Sequence, residues 1–190
     1  MDESVMILYK CIQARYVKVV WSHKIQEIQG DIYFCKDKLT KNTVCLLSCT
    51  TTGTASLSTV LALLNLDTQI TGAITAILAI CLSYFTIRFK DGQQEKKAKE
   101  NKIFAAKLHD LRNKYESLMT DIKAGILNNS NEITARRDEL SMEEKELYSE
   151  APYTSRTAVN RANKALKIKR ESTTEEDEID AIVPKDLILH

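Results

Sequence analysis

Apolar and polar positions along this chain fall into three regimes. Up to residue 42 charges interrupt the apolar residues at short intervals, and an amphipathic helix is expected around residues 12–28. From Asn42 to Leu66 no side chain is charged, and between Asn42 and Ile87 Asp67 alone is ionised. Beyond Arg88 the apolar residues return at helical spacing. Phe104, Leu108, Leu111, Tyr115, Leu118 and Ile122 are separated by four, three, four, three and four positions, a seam of nearly three heptads that ends near Gly125 and the run NNSN. Such a seam packs on its own neighbours or on other subunits, and subunit association is the use expected of it.

The central regime holds two uncharged runs, residues 43–64 and 68–87, of 22 and 20 residues. At a rise of about 1.5 Å per residue they reach about 33 and 30 Å, the thickness of a bilayer's hydrocarbon core. Only Asn65-Leu66-Asp67 separates them, so the pair is expected to form a transmembrane helical hairpin. Seven Lys and Arg lie between Lys10 and Lys41, seven more between Arg88 and Lys107, and none in the tip. An excess of positive charge stays on the cytoplasmic side, which puts both termini in the cytoplasm, Asp67 outside, and the protein in the inner membrane as a multi-pass chain. Trp21 is read as a packing residue or part of an interfacial helix. A soluble bundle with the two runs as its core is the alternative, and so little charge argues against it.

The first run contains SCTTTGTASLST, in which eight of twelve residues carry hydroxyls. A Ser or Thr on a helix can bond back to the carbonyl one turn earlier, so it need not bring an unsatisfied group into lipid. At 100° per residue Ser48, Thr51, Thr52, Ala55, Ser58, Thr59 and Ala62 share one side, opposite Leu46, Leu57, Val60, Leu61 and Leu64. In the second run Gly72, Ala76, Ala79, Ser83 and Thr86 form a small-residue strip opposite Ile70, Ile74, Ile77 and Phe85. Small residues let membrane helices approach closely. These faces either pack within the hairpin or line an aqueous path, and one hairpin has too few helices to enclose water, so a pore requires a homo-oligomer.

Asn129 followed by Glu132 resembles a capping arrangement for a helix over about residues 130–148, with Ile133, Leu140, Leu147 and Tyr148 as its apolar stripe. Pro152 breaks the chain. Thr154 or Ser155 can then cap a last helix with Ala158, Ala162, Ala165 and Leu166 inward. Six of the ten residues from Glu171 are acidic, too polar to offset the entropy of ordering; Leu187-Ile188-Leu189 at the end is a docking peptide at most. The division is therefore an N-terminal cytoplasmic amphipathic region (1–42), a hairpin (43–87), a cytoplasmic helical bundle (88–170) and an acidic disordered tail (171–190). The fold class is all-α.

Composition adds exclusions. With 44% hydrophobic residues, 28% charged and a formal net charge of +1, the chain lacks the basic excess of a nucleic-acid binder. Cys11, Cys35, Cys45, Cys49 and Cys81 are odd in number and without CxxC spacing, so neither a disulfide framework nor a metal site is expected, and they read as apolar filler. No secretory signal is visible in MDESVMILYK, whose apolar run stops at Tyr9-Lys10. No phosphate loop, HExxH, GxSxG or dinucleotide fingerprint occurs, His109 has no sequence neighbour to ligate with, and Glu143-Glu144 reads as a solvated pair. Neither an enzyme nor a cofactor is expected.

Taken in order, Trp21 with HKIQEIQGDIYF, the tight hairpin, AAKLHDLRNKYESLMTDI, and RRDELSMEEKELYSEAPYTSRTAVNRANKAL resemble the SLATT family, two-TM effectors associated with SMODS and SLOG proteins in bacterial conflict systems. The resemblance covers roughly residues 16–170, and LYSEAP with the helix after it is its most telling part. It implies an effector that breaches the inner membrane when an upstream sensor fires, such as a cyclic-nucleotide synthase, a nucleotide-binding protein or a reverse-transcriptase system. The outcome would be abortive infection as an antiviral defence, and no catalytic residue is carried over. A passive membrane anchor whose helices recruit a partner is the alternative from another class; a membrane enzyme is a third.

Overall fold

A computed structural model describes residues 3–64, 68–89 and 92–167. The expectations placed on Asn65-Leu66-Asp67 and on residues 171–190 lie outside them. Among the described residues the fold is all-helical, without a strand: α1 (Glu3–Leu63), α2 (Gln69–Phe89), α3 (Gln93–Lys123), α4 (Ser130–Ser149) and α5 (Arg156–Lys167). Contacts group the chain into two units, one of Met1–Asp31 with Lys99–His190, the other of Ile32–Ala98. Helices α1 and α3 each contribute to both.

The expected N-terminal helix and the first uncharged run are one helix of 61 residues. No proline interrupts it, and the stretch between them makes its own local bonds. Lys41 pairs with Asp37 one turn back at 2.8 Å, and the Thr40 hydroxyl donates to the Lys36 carbonyl at 2.9 Å. Gly30, the residue most able to break this helix, is buried where a Cβ would stand 3.0 Å from the stem of Lys102, whose Nζ reaches Asp31 at 2.8 Å.

The first unit is built on two facing apolar stripes. Val5, Tyr9, Ile12, Tyr16 and Val19 recur on α1 at four, three, four, three, and begin one turn and more before the expected start. They share a buried cluster with Phe104, Leu108, Leu111, Tyr115, Leu118 and Ile122 of α3. Leu108 and Tyr115 are 0% exposed, so within the chain the seam packs on its own neighbours. At about 1.5–3 kcal/mol for each large side chain fully buried, these stripes are the main favourable term in this unit.

Local chemistry ends each helix. After α3, Gly125 adopts φ 73°, with its N–H on the Ile122 carbonyl (3.1 Å) and the Ile126 N–H on the Asp121 carbonyl (3.0 Å). That double bond is a Schellman closure, and its left-handed residue favours glycine. The Asn129 side chain accepts from the Asn131 N–H at 3.0 Å and caps α4 as expected; Ile133 is buried, and Leu140, Leu147 and Tyr148 pack partly buried on the cluster. In α5 Ala158 and Ala162 are 0% exposed, whereas Ala165 is exposed and Leu166 half-buried. Only the first two turns of α5 therefore face the core.

In the second unit the C-terminal part of α1 and all of α2 are each apolar and long enough to cross a membrane, with ends within two residues of the expected runs. No residue in either apolar window is buried. Among the described residues these two helices are therefore not the core of a bundle formed by the chain itself.

Candidate functional site

The hydroxyls of the first apolar run are satisfied by the helix that carries them. Thr51 donates to the Leu47 carbonyl at 2.7 Å, Thr52 to Ser48 at 2.9 Å, Ser58 to Thr54 at 3.0 Å and Thr59 to Ala55 at 3.0 Å. Thr50, Thr54 and Ser56 bond back three or four residues in the same way, as do Thr71, Thr75 and Thr86 on α2. Each of these O–H groups therefore has an acceptor that does not depend on water or a neighbour; among the described residues no such bond is made by Ser48 or Ser83.

The ten small or polar positions singled out on these helices do not share one environment. Ser48, Thr51, Ser58 and Ala79 are half-buried; Thr52, Ala55, Thr59, Gly72, Ala76 and Ser83 are exposed. The half-buried residues follow helical spacing on both elements, Leu47, Thr51, Thr54, Ser58 and Leu61 on α1 and Thr71, Thr75, Leu78, Leu82 and Phe85 on α2. Gly72 is open: an added Cβ meets nothing within 4 Å, and the same is true at Gly53. Much of the small-residue surface is left uncovered by the chain itself.

Sequence reasoning placed Glu144 among solvated carboxylates, and the structure corrects this. Glu144 is 3% exposed and accepts from Arg15 Nη1 (3.1 Å), Lys18 Nζ (2.9 Å) and the Tyr115 hydroxyl (3.1 Å). One carboxylate thus ties α4 to α1 and α3. The signal was present in the spacing, since Glu144 lies four residues after Leu140 and three before Leu147, on the apolar stripe. Glu143, one position round the helix, makes an exposed pair with Lys114 at 2.6 Å. Burial, then the adjacent Glu144 charge, pushes the Tyr115 phenol well above its ordinary value, and burial pushes Tyr9 up to about 12. Both stay protonated, so Tyr115 remains a donor to Glu144.

The LYSEAP segment is held by polar residues one and two turns apart on α1. Tyr148 donates to Ser22 Oγ at 2.6 Å, and Gln26 Nε2 to the Pro152 carbonyl at 3.2 Å. Gln29, 1% exposed, accepts from both the backbone N–H (2.8 Å) and the hydroxyl (2.7 Å) of Ser155. Ser155 Oγ in turn accepts the Ala158 N–H at 3.3 Å and so caps α5. Two buried glutamines at i and i+3 thereby recognise an irregular stretch through its backbone. Composition gave no hint of this.

The fold also brings His23 beside His109, ring centroids 5.8 Å apart and tilted by 54°. Burial lowers the His23 pKa; Glu27 opposes this, while Arg112, His109 and Lys24 add to it. Two rings do not make a metal site, and among the described residues no group of three or more potential ligands is found. All five cysteines are free and exposed. A cavity of about 510 Å³ beside α3 and α4 is lined by Asp121, Glu132, Glu139 and Glu143 against Lys114 and Arg136. With four carboxylates to two cations it is poorly suited to a phosphorylated ligand.

The family model for the SMODS and SLOG-associating 2TM effector domain family 4 matches residues 8–178. No curated protein and no solved structure matches the chain. The matched stretch contains both apolar helices, the Glu144 contacts and the glutamine-held segment.

Two measurements check this geometry in the purified full chain. Glu144→Ala leaves a buried phenol without its acceptor and removes the carboxylate that Arg15 and Lys18 share. Arg15 and Lys18 are 38% and 64% exposed, so their charges are partly screened, and the expected loss is about 2–3 kcal/mol in chemical unfolding. Glu143→Ala, in an exposed pair, should cost less than about 1 kcal/mol; equal costs would show that Glu144 is not an internal tie. For His23, a folded pKa below the ordinary 6.5 means the unfolded chain binds the proton more readily. Its contribution is fully present above that value and is lost as pH falls below it. The midpoint of thermal unfolding should drop between about pH 7.5 and 5.5, and His23→Gln should reduce the drop; an identical profile in the variant contradicts the assignment.

Proposed function

The chain belongs to the SMODS and SLOG-associating 2TM effector domain family 4, and from that membership we propose that it is a bacterial conflict-system effector that oligomerises and permeabilises the inner membrane when a sensor partner activates it. In this reading residues 43–64 and 68–87 are an antiparallel transmembrane hairpin, packed through the half-buried stripes of α1 and α2. The termini and the Glu144-tied unit are cytoplasmic. The observation that carries it is the uncovered small-residue surface. Thr52, Ala55 and Thr59 on α1 and Gly72, Ala76 and Ser83 on α2 are exposed, and Gly72 has open space beside it. Exposed small positions on an apolar helix permit close approach by another membrane helix.

Assembly through these faces gives the hydroxyls two roles. In the single chain those of Thr51, Thr52, Ser58 and Thr59 bond back to their own helix. In a ring of copies the same oxygens keep a free lone pair and can hydrate, so a path lined by Thr52 and Thr59 could carry water and ions. The seam buried in the first unit plays no part in this assembly. Helices α1 and α3, which contribute to both units, are the elements able to carry a signal from one to the other.

The partner is a sensor in a nucleotide-signalling or related system, including one built on a cyclic-nucleotide synthase. The excess of carboxylates round the cavity at α3 and α4 disfavours a nucleotide there, so the signal is taken to arrive through a protein contact. No nucleic acid is expected, and neither a cofactor nor an enzymatic step is invoked.

Co-expression with a SMODS- or SLOG-type sensor, read with a membrane-potential dye, tests the proposal. The wild-type chain should collapse the potential on triggering, and Thr52→Trp or Gly72→Leu should reduce the collapse at least tenfold in rate at equal membrane abundance. A passive anchor leaves the potential intact even when triggered. Undiminished collapse in both variants would mean that these faces neither line a path nor join copies.

A further inference from the structure

We infer that residues 33–41 of α1 form a collar that binds the headgroups of anionic phospholipids. The inference rests on the membrane reading above but concerns which lipid the protein holds. After Gly30 no described residue of α1 is buried, and the stretch that follows exposes Phe34 (58%) and Leu39 (69%) among three lysines. Large apolar groups open to solvent beside cations are costly in water and suited to a membrane interface, where the ring or alkyl part enters the acyl boundary and the ammonium remains at the phosphates.

The ion pairs leave the charge unbalanced. Lys41 pairs with Asp37 at 2.8 Å and with Glu95 at 2.9 Å. Lys36 and Lys38 are exposed and have no ion-pair partner among the described residues, and Lys96, next to Glu95 on α3, is exposed as well. At about 1.5 Å per residue Lys38 and Lys36 stand about 8 and 11 Å from Thr43, where the uncharged run begins. The headgroup layer extends roughly 5–8 Å beyond the hydrocarbon on each side, within reach of a lysine stem. Around the helix, Phe34 falls between Lys38 and Lys41, and Leu39 is nearest to Lys36. A zwitterionic headgroup brings its own ammonium and gains little from these cations. An anionic headgroup gains from each of them.

Spin-labelled lipids measure the preference directly. The full chain is reconstituted in phosphatidylcholine vesicles with a trace of labelled phosphatidylglycerol or labelled phosphatidylcholine, and the motionally restricted fraction of each label gives their relative association with the protein. The wild type should favour phosphatidylglycerol, less so at high salt. Lys36→Gln with Lys38→Gln should lower that preference by up to about 30-fold, about fivefold per lysine. Lys145→Gln, on α4 in the other unit, should leave it unchanged. Equal association of both lipids with the wild type, or an equal loss in Lys145→Gln, would overturn the collar while the restricted lipid itself upholds insertion. Absence of any restricted component would instead overturn the membrane reading.

Discussion

A hydroxyl in hydrocarbon has to find its acceptor on the helix that carries it. Everything distinctive about this chain depends on that constraint. Without back-bonding, the oxygens of SCTTTGTASLST would each bring an unmet polar group into lipid, at a cost of roughly 1–3 kcal/mol apiece by mutational measures. With it, the helix keeps a surface that is polar in chemistry yet closed in hydrogen bonding. Such a surface can lie against lipid, pack against a small-residue strip, or turn its remaining lone pairs to water.

The other unit is arranged in the opposite way, with its polar groups committed. Glu144 uses both oxygens on three donors from two helices, and Gln29 uses its carbonyl twice on Ser155. Removing Glu144 leaves the buried Tyr115 phenol without its acceptor, so the geometry there has few low-energy alternatives. The buried stripes on α1 and α3 supply the cohesion, while the polar contacts decide how the LYSEAP stretch lies on α1. A rigid unit and a permissive one share α1 and α3.

How far the sequence revealed this depended on whether period or partnership carried the information. The apolar runs, the seam on α3, the Asn129 cap and the stop at Gly125 are local patterns, and each stands where spacing and turn chemistry put it. The back-bonded hydroxyls followed from the same local reasoning. The continuity of α1 between the expected helix and the first run has no periodic signal, but charge does not end a helix and no proline stands there to do so. Glu144, the glutamines at 26 and 29 and the His23–His109 pair were missed for a different cause. Their partners lie on other helices, and a single sequence carries no record of which faces meet. Glu144 alone left a trace, as a carboxylate in register with Leu140 and Leu147.

The central claim is that residues 43–87 leave the cytoplasmic side and return to it. The most direct test is a variant with its five cysteines replaced and Asp67→Cys as the sole thiol, treated in intact spheroplasts with a membrane-impermeant maleimide. Labelling without permeabilisation, absent when the thiol is moved to Lys10, is the result this account requires. Labelling at Asp67→Cys only after the membrane is opened would contradict it.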